Sequence, residues 1–291
     1  MPYTFDLKID FKRDWIAFLE RMLIKEGYNR EDISSDVRFQ YFNFVRRLIS
    51  PLPRKVLISK EFYCPEELKE GLDIIIEKIQ KGVNLKPHLS KNILNLNYHD
   101  DLLNDWGIHH LHLGTTIDKS GFSNRTGPVL FVRFDNKHAY IINAMKHGSW
   151  AKQEMIRIIH NNWPKSIESF QLNGVTAASP ALTDKQYKEA RRSRSIVLVE
   201  AEKGAVYGPL GMGYATSGHS VEVTRTCDFF AIRLREYEKY IKENIGSLVR
   251  RMRGKGIEIR GNLNFLLGIE NDVVYAFEVN NRVFIELGPL L

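Results

Sequence analysis

The sequence has little cysteine. Only Cys64 and Cys227 occur in 291 residues, far apart and in no CxxC spacing. A disulfide framework and a thiolate zinc site both need more cysteines at closer spacing. We therefore expect neither, and the composition fits the reducing environment of the cytoplasm.

Long apolar runs are also absent. No segment approaches the roughly 18 consecutive apolar residues of a membrane-spanning helix. Charged residues from Asp6 to Arg13 occupy the part of the chain where a signal peptide would carry its apolar run. The sequence thus predicts neither secretion nor a membrane partner.

The familiar phosphate-binding loops are missing as well. The glycine-rich segment 204–220 (GAVYGPLGMGYATSGHS) lacks the GxxxxGK[ST] spacing of a P-loop, and no GxGxxG run follows a strand and opens a helix. We interpret it as a mobile or tightly turned loop between strands, with a phosphate cradle as the alternative. No cofactor is expected.

What is present is an ordinary globular composition with a basic excess. Hydrophobic residues make up 43% of the chain and charged residues 26%, and the formal net charge is +7. A basic balance favours an anionic partner, and nucleic acid is the commonest one. The oligomeric state does not follow from the composition.

The pattern of apolar residues predicts an α+β fold in three regions. Residues 1–90 show helical periodicity, with the best-marked helix running from Pro65 to Gly82. Residues 91–170 contain a hairpin, VLFVRF and AYIIN, followed by a polar helix, and residues 171–291 contain short β-branched runs typical of an antiparallel sheet. Within that last region we expect strands over 196–199, 221–226, 229–234, 263–269, 273–279 and 283–287, and a helix over 236–252.

Histidines are concentrated in the middle region. His109, His110 and His112 lie in the string DWGIHHLHLGTT. In a strand, the period of two places His110 and His112 on one face and His109 on the other. Three uses are open: metal ligation by His110 and His112, general acid–base catalysis, or partly buried histidines bonded to the backbone. Metal ligation would need a third ligand from His147, His160 or an acid such as Asp100 or Asp101.

A basic loop follows the hairpin. The string KHGSW places Lys146 and His147 where a strand ends and a helix begins, an arrangement suited to holding a phosphate group. Arg133 on the first hairpin strand either points toward the same site or faces water. We count Arg133, Lys146 and His147, together with His110 and His112, as candidate catalytic residues.

Two basic clusters are candidates for contact with a nucleic-acid backbone. They are KEARRSRS, with Arg191, Arg192 and Arg194, and RRMRGKG, with Arg250, Arg251 and Arg253. Arginine suits bidentate contact with phosphate. Solvated helix ends are the alternative interpretation, because cations are favoured at helix C-termini.

The order of elements over residues 106–164 resembles the RelE-like and BrnT-like ribonuclease toxins. The likeness consists of a strand, a turn-rich segment, the hairpin VLFVRF and AYIINAMKHG, and a polar helix. It implies metal-free RNA cleavage by basic and imidazole side chains, with Arg133, Lys146 and His147 at the matching hairpin positions and His110 or His112 from the preceding strand. The chain departs from that family in its size and its wealth of histidine.

Together these features predict an RNA-acting enzyme, a metal-independent endoribonuclease of a toxin or defence system. A toxin of this kind implies an inhibitory partner protein. The alternatives are a non-enzymatic nucleic-acid-binding or regulatory module, and a metal-dependent nuclease or phosphoesterase that uses His110 and His112 as ligands. Neither the substrate sequence nor the choice between RNA and DNA follows from the sequence.

Overall fold

A computed structural model describes residues 6–259 and 262–289. The described chain forms two compact units. One comprises the described residues up to Tyr41 and from Arg225 onward, and the other runs from Phe42 to Thr224. This division differs from the three consecutive regions 1–90, 91–170 and 171–291 drawn from the sequence, since segments from both ends of the chain pair within one unit.

Helices and strands occur in both units, which confirms the predicted α+β class. The helices are α1 (Phe11–Lys25), α2 (Val37–Arg47), α3 (Lys69–Lys81), α4 (Asp101–Trp106), α5 (Glu154–Asn162), α6 (Asp184–Arg192) and α7 (Val221–Gly254). The strands are β1 (Leu7–Ile9), β2 (Lys55–Ile58), β3 (Ile108–His112), β4 (Pro128–Phe134), β5 (His138–Lys146), β6 (Val199–Glu202), β7 (Ala205–Tyr207), β8 (Leu263–Glu270), β9 (Val273–Glu278) and β10 (Val283–Pro289). None of the helices in the described part of the chain is long and apolar enough to span a membrane.

The larger unit is built on a four-stranded sheet in the order β2-β5-β4-β3. Strands β4 and β5 form the predicted hairpin, with Asp135 in the turn; β3 pairs antiparallel with β4, and β2 pairs parallel with β5. Side chains alternate between the two faces of such a sheet. One face packs against α5 through residues such as Phe131 and Ile159, and the other packs against α3 through residues such as Leu111 and Ile75.

The smaller unit contains a second sheet in the order β1-β8-β9-β10. Strand β1 pairs parallel with β8, so the start of the described chain is joined to its last third. Helix α1 buries Phe11 and Trp15 and ends before Gly27, as its apolar spacing predicts. The predicted strands in the final thirty residues are confirmed as β8, β9 and β10, with shifts of one or two residues at their ends.

One group of sequence predictions is wrong. The runs 221–226 and 229–234 were expected as strands and 236–252 as a separate helix, but all three lie in the single 34-residue helix α7. β-Branched residues favour strands, yet tertiary packing overrides that preference. Val223, Cys227, Phe230, Leu234 and Ile241 recur at helical spacing and are buried.

The first ninety residues are less purely helical than expected, because they include the strands β1 and β2. Helix α3 is preceded by a 3₁₀ turn over Glu66–Leu68, and Gly82 caps its end in the left-handed conformation (φ 69°). A Cβ at Gly82 would lie 2.6 Å from the backbone nitrogen of Pro53. Glycine is therefore required there by both the backbone angle and the space.

Candidate active site

Strand β3 places two histidines on the same face of the central sheet. His110 pairs with Phe131 and His112 with Val129 across the β3–β4 ladder. Their ring centroids are 6.2 Å apart, whereas the ring of His109 lies against Phe134, at 5.7 Å. Because side chains alternate between the faces of a strand, His109 lies on the opposite face from His110 and His112. The two imidazoles lie on one face, as predicted.

The loop after β5 adds a third imidazole. The backbone N–H of His147 donates to the carbonyl of Gly127 (2.9 Å), which holds the loop against the start of β4. The His147 ring stacks with that of His112 at a centroid distance of 6.2 Å. The ring centroid of Trp150 lies close to both imidazoles, 4.5 Å from the His110 centroid and 4.9 Å from the His147 centroid. Three histidines and one tryptophan therefore form one ring cluster.

Burial governs the protonation of two of these rings. His112 is only 2% exposed. Burial lowers its pKa to about 4, and the charges of His110 and Arg125 act in the same direction. Burial also lowers the pKa of His110; Asp100 opposes that shift, while His147 and Arg125 add to it. Both imidazoles are thus neutral at pH 7, the form that accepts a proton.

The same two rings carry unsatisfied polar atoms. The Nδ1 atoms of His110 and His112 are buried and have no hydrogen-bond partner within the described residues. A buried polar atom without a partner is costly, and such atoms in native proteins call for an explanation. The backbone-bonded histidine that was the alternative interpretation does not describe these two Nδ1 atoms.

His110 and His147 open into a cavity of about 400 Å³. Its cationic lining comes from two segments: Arg125 in the turn before β4, and Lys188, Arg191 and Arg192 on α6. Arg125, Lys188 and Arg192 are exposed. The remaining polar lining comprises Ser90, Asn92, Tyr98, Asp100 and Asp101. The cavity combines imidazoles with several cations, which is suited to an anionic ligand.

Arg191 differs from its neighbours because it is buried. Its Nε lies 2.8 Å from an Asp105 carboxylate oxygen, and its guanidinium stacks on the Trp106 ring at 4.1 Å. Arg191 also donates to the backbone carbonyl of Trp150. The residue predicted to contact a nucleic-acid backbone therefore links α4 and α6 to the loop that carries Trp150.

The structure places other predicted site residues away from this cluster. Arg133 pairs with Ile108 at the far end of β3 and lines a second cavity. Lys146 is exposed, pairs with Pro128 and does not line the cavity of the ring cluster. Arg194 does not line the cavity of the ring cluster, and its guanidinium carbon lies 5.5 Å from the centroid of the Tyr214 ring.

The second basic cluster belongs to the smaller unit. Arg250, Arg251 and Arg253 are exposed near the C-terminal end of α7. The favourable interaction of cations with a helix C-terminus accounts for their position without a ligand.

Sequence reasoning missed several lining residues. Arg125 lies in the turn-rich segment SNRTG and has no local sequence signal of function. Asp100 was considered from the sequence only as a possible third metal ligand. In the structure it caps α4, accepting from the backbone N–H of Leu103 at 3.0 Å, and lines the cavity. Trp150 had a local sequence signal, since it closes the KHGSW string already singled out for Lys146 and His147.

The alternative of a metal centre lacks a complete ligand set. Among residues 6–259 and 262–289, no group of three or more histidine, cysteine, aspartate or glutamate side chains is arranged to hold one metal ion. None of the possible third ligands, His147, His160, Asp100 and Asp101, is arranged with His110 and His112 to hold one ion.

Comparison with known proteins finds no relative. No family model, no curated protein and no solved structure matches the chain. The geometry and chemistry of the site are therefore the basis for a functional proposal.

Proposed function

We propose that the protein is a metal-independent endoribonuclease and that the ring cluster of His110, His112, His147 and Trp150 is its catalytic centre. The observation that supports this most directly is the meeting of three imidazoles, two of them neutral at pH 7, at a cavity bordered by exposed cations. Imidazoles are the side chains best suited to proton transfer near neutral pH.

The roles follow from position. His110 opens into the cavity and is neutral, so it takes the proton from the ribose 2′-hydroxyl as general base. His147 is the exposed imidazole, and it donates a proton to the leaving 5′-oxygen. The 2′-oxygen attacks phosphorus, the bond from phosphorus to the 5′-oxygen breaks, and the products are a 2′,3′-cyclic phosphate and a 5′-hydroxyl.

His112 acts on its neighbours rather than on the substrate. Its ring is buried between those of His110 and His147, at 6.2 Å from each. The backbone carbonyl of His112 interacts with Nδ1 of His88 at 3.0 Å, and Lys78 Nζ lies 2.8 Å from the other nitrogen of that ring. This backbone contact holds the end of β3. Because the His112 ring is buried and does not line the cavity, we assign it as a positioning residue.

The cations of the cavity hold the phosphate and its charge in the transition state. Arg125, Lys188 and Arg192 approach from two separate segments of the chain. Cations that face a developing negative charge are a large source of catalytic stabilisation. Trp150 provides an aromatic surface at the same cavity, on which a nucleobase of single-stranded RNA can stack.

The assignment to a toxin or defence system, with an inhibitory partner protein and a cytoplasmic location, rests on the resemblance of residues 106–164 to RelE-like and BrnT-like toxins. The central hairpin and the helix after it are the elements on which that resemblance depends. Arg133 and Lys146, the basic positions that it implied, lie outside the catalytic centre proposed here.

The decisive experiment incubates the protein with labelled single-stranded RNA and with the same strand carrying one 2′-deoxynucleotide at each cleavage site, with and without EDTA. We expect cleavage of the RNA in EDTA, a terminal 2′,3′-cyclic phosphate, and no cleavage at the 2′-deoxy positions. Binding without cleavage would favour a non-enzymatic module. Activity that EDTA abolishes and one divalent ion restores would favour the metal-dependent alternative.

A further inference from the structure

A second cavity of about 470 Å³ lies in the larger unit, at the end of the central sheet remote from His112 and His147. Its charged lining includes Arg46, Arg54 and Arg133, with Asp135 and Glu222 as the acids. Arginines thus outnumber acids by one. The proposed ribonuclease mechanism uses no residue of this lining.

Two of the three guanidinium groups already have partners. Arg46 donates to the backbone carbonyls of Leu103 (3.1 Å) and Gly211 (3.0 Å) and is paired with Glu222. Arg54 donates to the carbonyls of Asp135 (2.6 Å) and Ser50 (2.7 Å). These arginines stabilise the loops around the cavity.

Arg133 is different. It is half-buried, and its side chain donates to no acceptor in the described part of the chain. Its guanidinium carbon lies 5.9 Å from the centroid of the Phe170 ring. Asp135 attracts it electrostatically, but the carboxylate of Asp135 accepts instead from the Tyr140 hydroxyl (2.7 Å). A half-buried guanidinium with no protein acceptor keeps its N–H donors available to a ligand in the cavity.

The rest of the lining is largely uncharged. Phe134, Phe170, Leu210 and Met212 provide apolar surface. His109 also faces the cavity; burial lowers its pKa to about 4, with Arg46 and Arg54 acting in the same direction, so its ring is neutral at pH 7. The volume lies within the range of small-molecule sites. A ligand that fits has one anionic end and one apolar end.

We propose that this second cavity binds a small aromatic oxyanion, with the phosphate or carboxylate on the Arg133 guanidinium and the ring against Phe170. The planar fork of arginine matches either oxyanion in a bidentate contact. Phosphate esters and carboxylates share this chemistry, and two probes distinguish them.

The test is calorimetric titration of the full chain with phenyl phosphate, benzoate and benzyl alcohol. Benzyl alcohol has the ring without the charge. We expect at least one of the two oxyanions to bind at least about tenfold more tightly than the alcohol, because the oxyanion adds charge-assisted hydrogen bonds that the alcohol cannot form. The tighter of the two oxyanions identifies the ligand class.

Arg133→Met should weaken that binding at least about tenfold. The matched control is Arg157→Met, which removes an exposed arginine of α5 that lines neither cavity and should leave the affinity unchanged. Arg125→Met shows whether the oxyanion binds in the first cavity instead. Arg133→Lys, which retains the charge without the fork, should give an intermediate affinity and serves if the methionine variant does not fold. No oxyanion binding at millimolar concentration, or binding that depends on Arg125 and not on Arg133, would overturn the proposal.

Discussion

Acid should destabilise the larger unit through the buried ring of His112. In the unfolded chain, histidine titrates with a pKa near 6.5, whereas burial lowers the pKa of folded His112 to about 4. As the pH falls below 6.5, the unfolded state takes up a proton that the folded state does not, so the free energy of unfolding decreases. Above pH 6.5 this contribution to stability is fully present, and it is lost progressively down to about pH 4.

The size of the effect follows from the two pKa values. One pKa unit corresponds to about 1.4 kcal/mol, so His112 alone should lower the free energy of unfolding by about 2 kcal/mol between pH 7 and pH 5. The side chain is almost wholly buried, so solvent screening reduces this figure little. The substitution His112→Asn removes the titrating group and should make the difference between the two pH values smaller by that amount.

The assay is urea unfolding followed by tryptophan fluorescence at pH 7 and pH 5. Three of the four tryptophans, Trp106, Trp150 and Trp163, belong to the larger unit and report on it. Leu111→Val on the same strand is the matched control, since it reduces packing at both pH values by a similar amount and changes no titrating group. If His112→Asn shows the same pH difference as the wild type, the His112 ring is not a buried imidazole that stays neutral in the folded state.

Three further predictions concern activity, stability and salt. His147→Ala should lower the rate of RNA cleavage by about 10²–10⁴-fold, as removal of a general acid does. His138→Ala, at the first residue of β5, should leave single-turnover rates near wild type. Arg191→Met leaves the Asp105 carboxylate buried without its ion pair, and it should lower the free energy of unfolding in urea by about 3–5 kcal/mol. The double variant Arg191→Met with Asp105→Leu should recover most of that loss. Equal destabilisation of the two variants would contradict the argument. Filter binding of single-stranded RNA measures how the logarithm of the affinity depends on the logarithm of the salt concentration, and Arg192→Gln should reduce the magnitude of that slope by about 0.7. An unchanged slope would show that Arg192 does not contact phosphate.

Local signals in the sequence were strong for the elements of the larger unit. Pro65, the acidic residues after it and Gly82 marked α3, and the alternation in VLFVRF and AYIIN marked the hairpin. Such signals act over a few residues and depend on backbone geometry alone. The same reasoning failed for α7, where β-branched residues at helical spacing carried two conflicting signals and packing decided between them.

The candidate site was predictable only in part. The strand period alone placed His110 and His112 together, because side chains two apart lie on the same face in any strand. The distances of His147, Trp150 and Arg125 from them depend on the β3–β4–β5 register, which the local pattern does not specify. Arg133 illustrates what the local pattern could not predict. It lies on the first hairpin strand as expected, but at the opposite end of the sheet from His112.

The α+β class, the hairpin and the position of His110 and His112 on one face of a strand could be predicted from the sequence, since each of these follows from periodicity or turn chemistry within a short segment. Tertiary structure decided which cations share a cavity with the imidazoles, which arginine is buried against Asp105, and which is left without an acceptor at the second cavity. Those properties depend on contacts between residues distant in the chain, and on the burial that shifts a pKa, and both arise only when the sheet and its covering helices pack together.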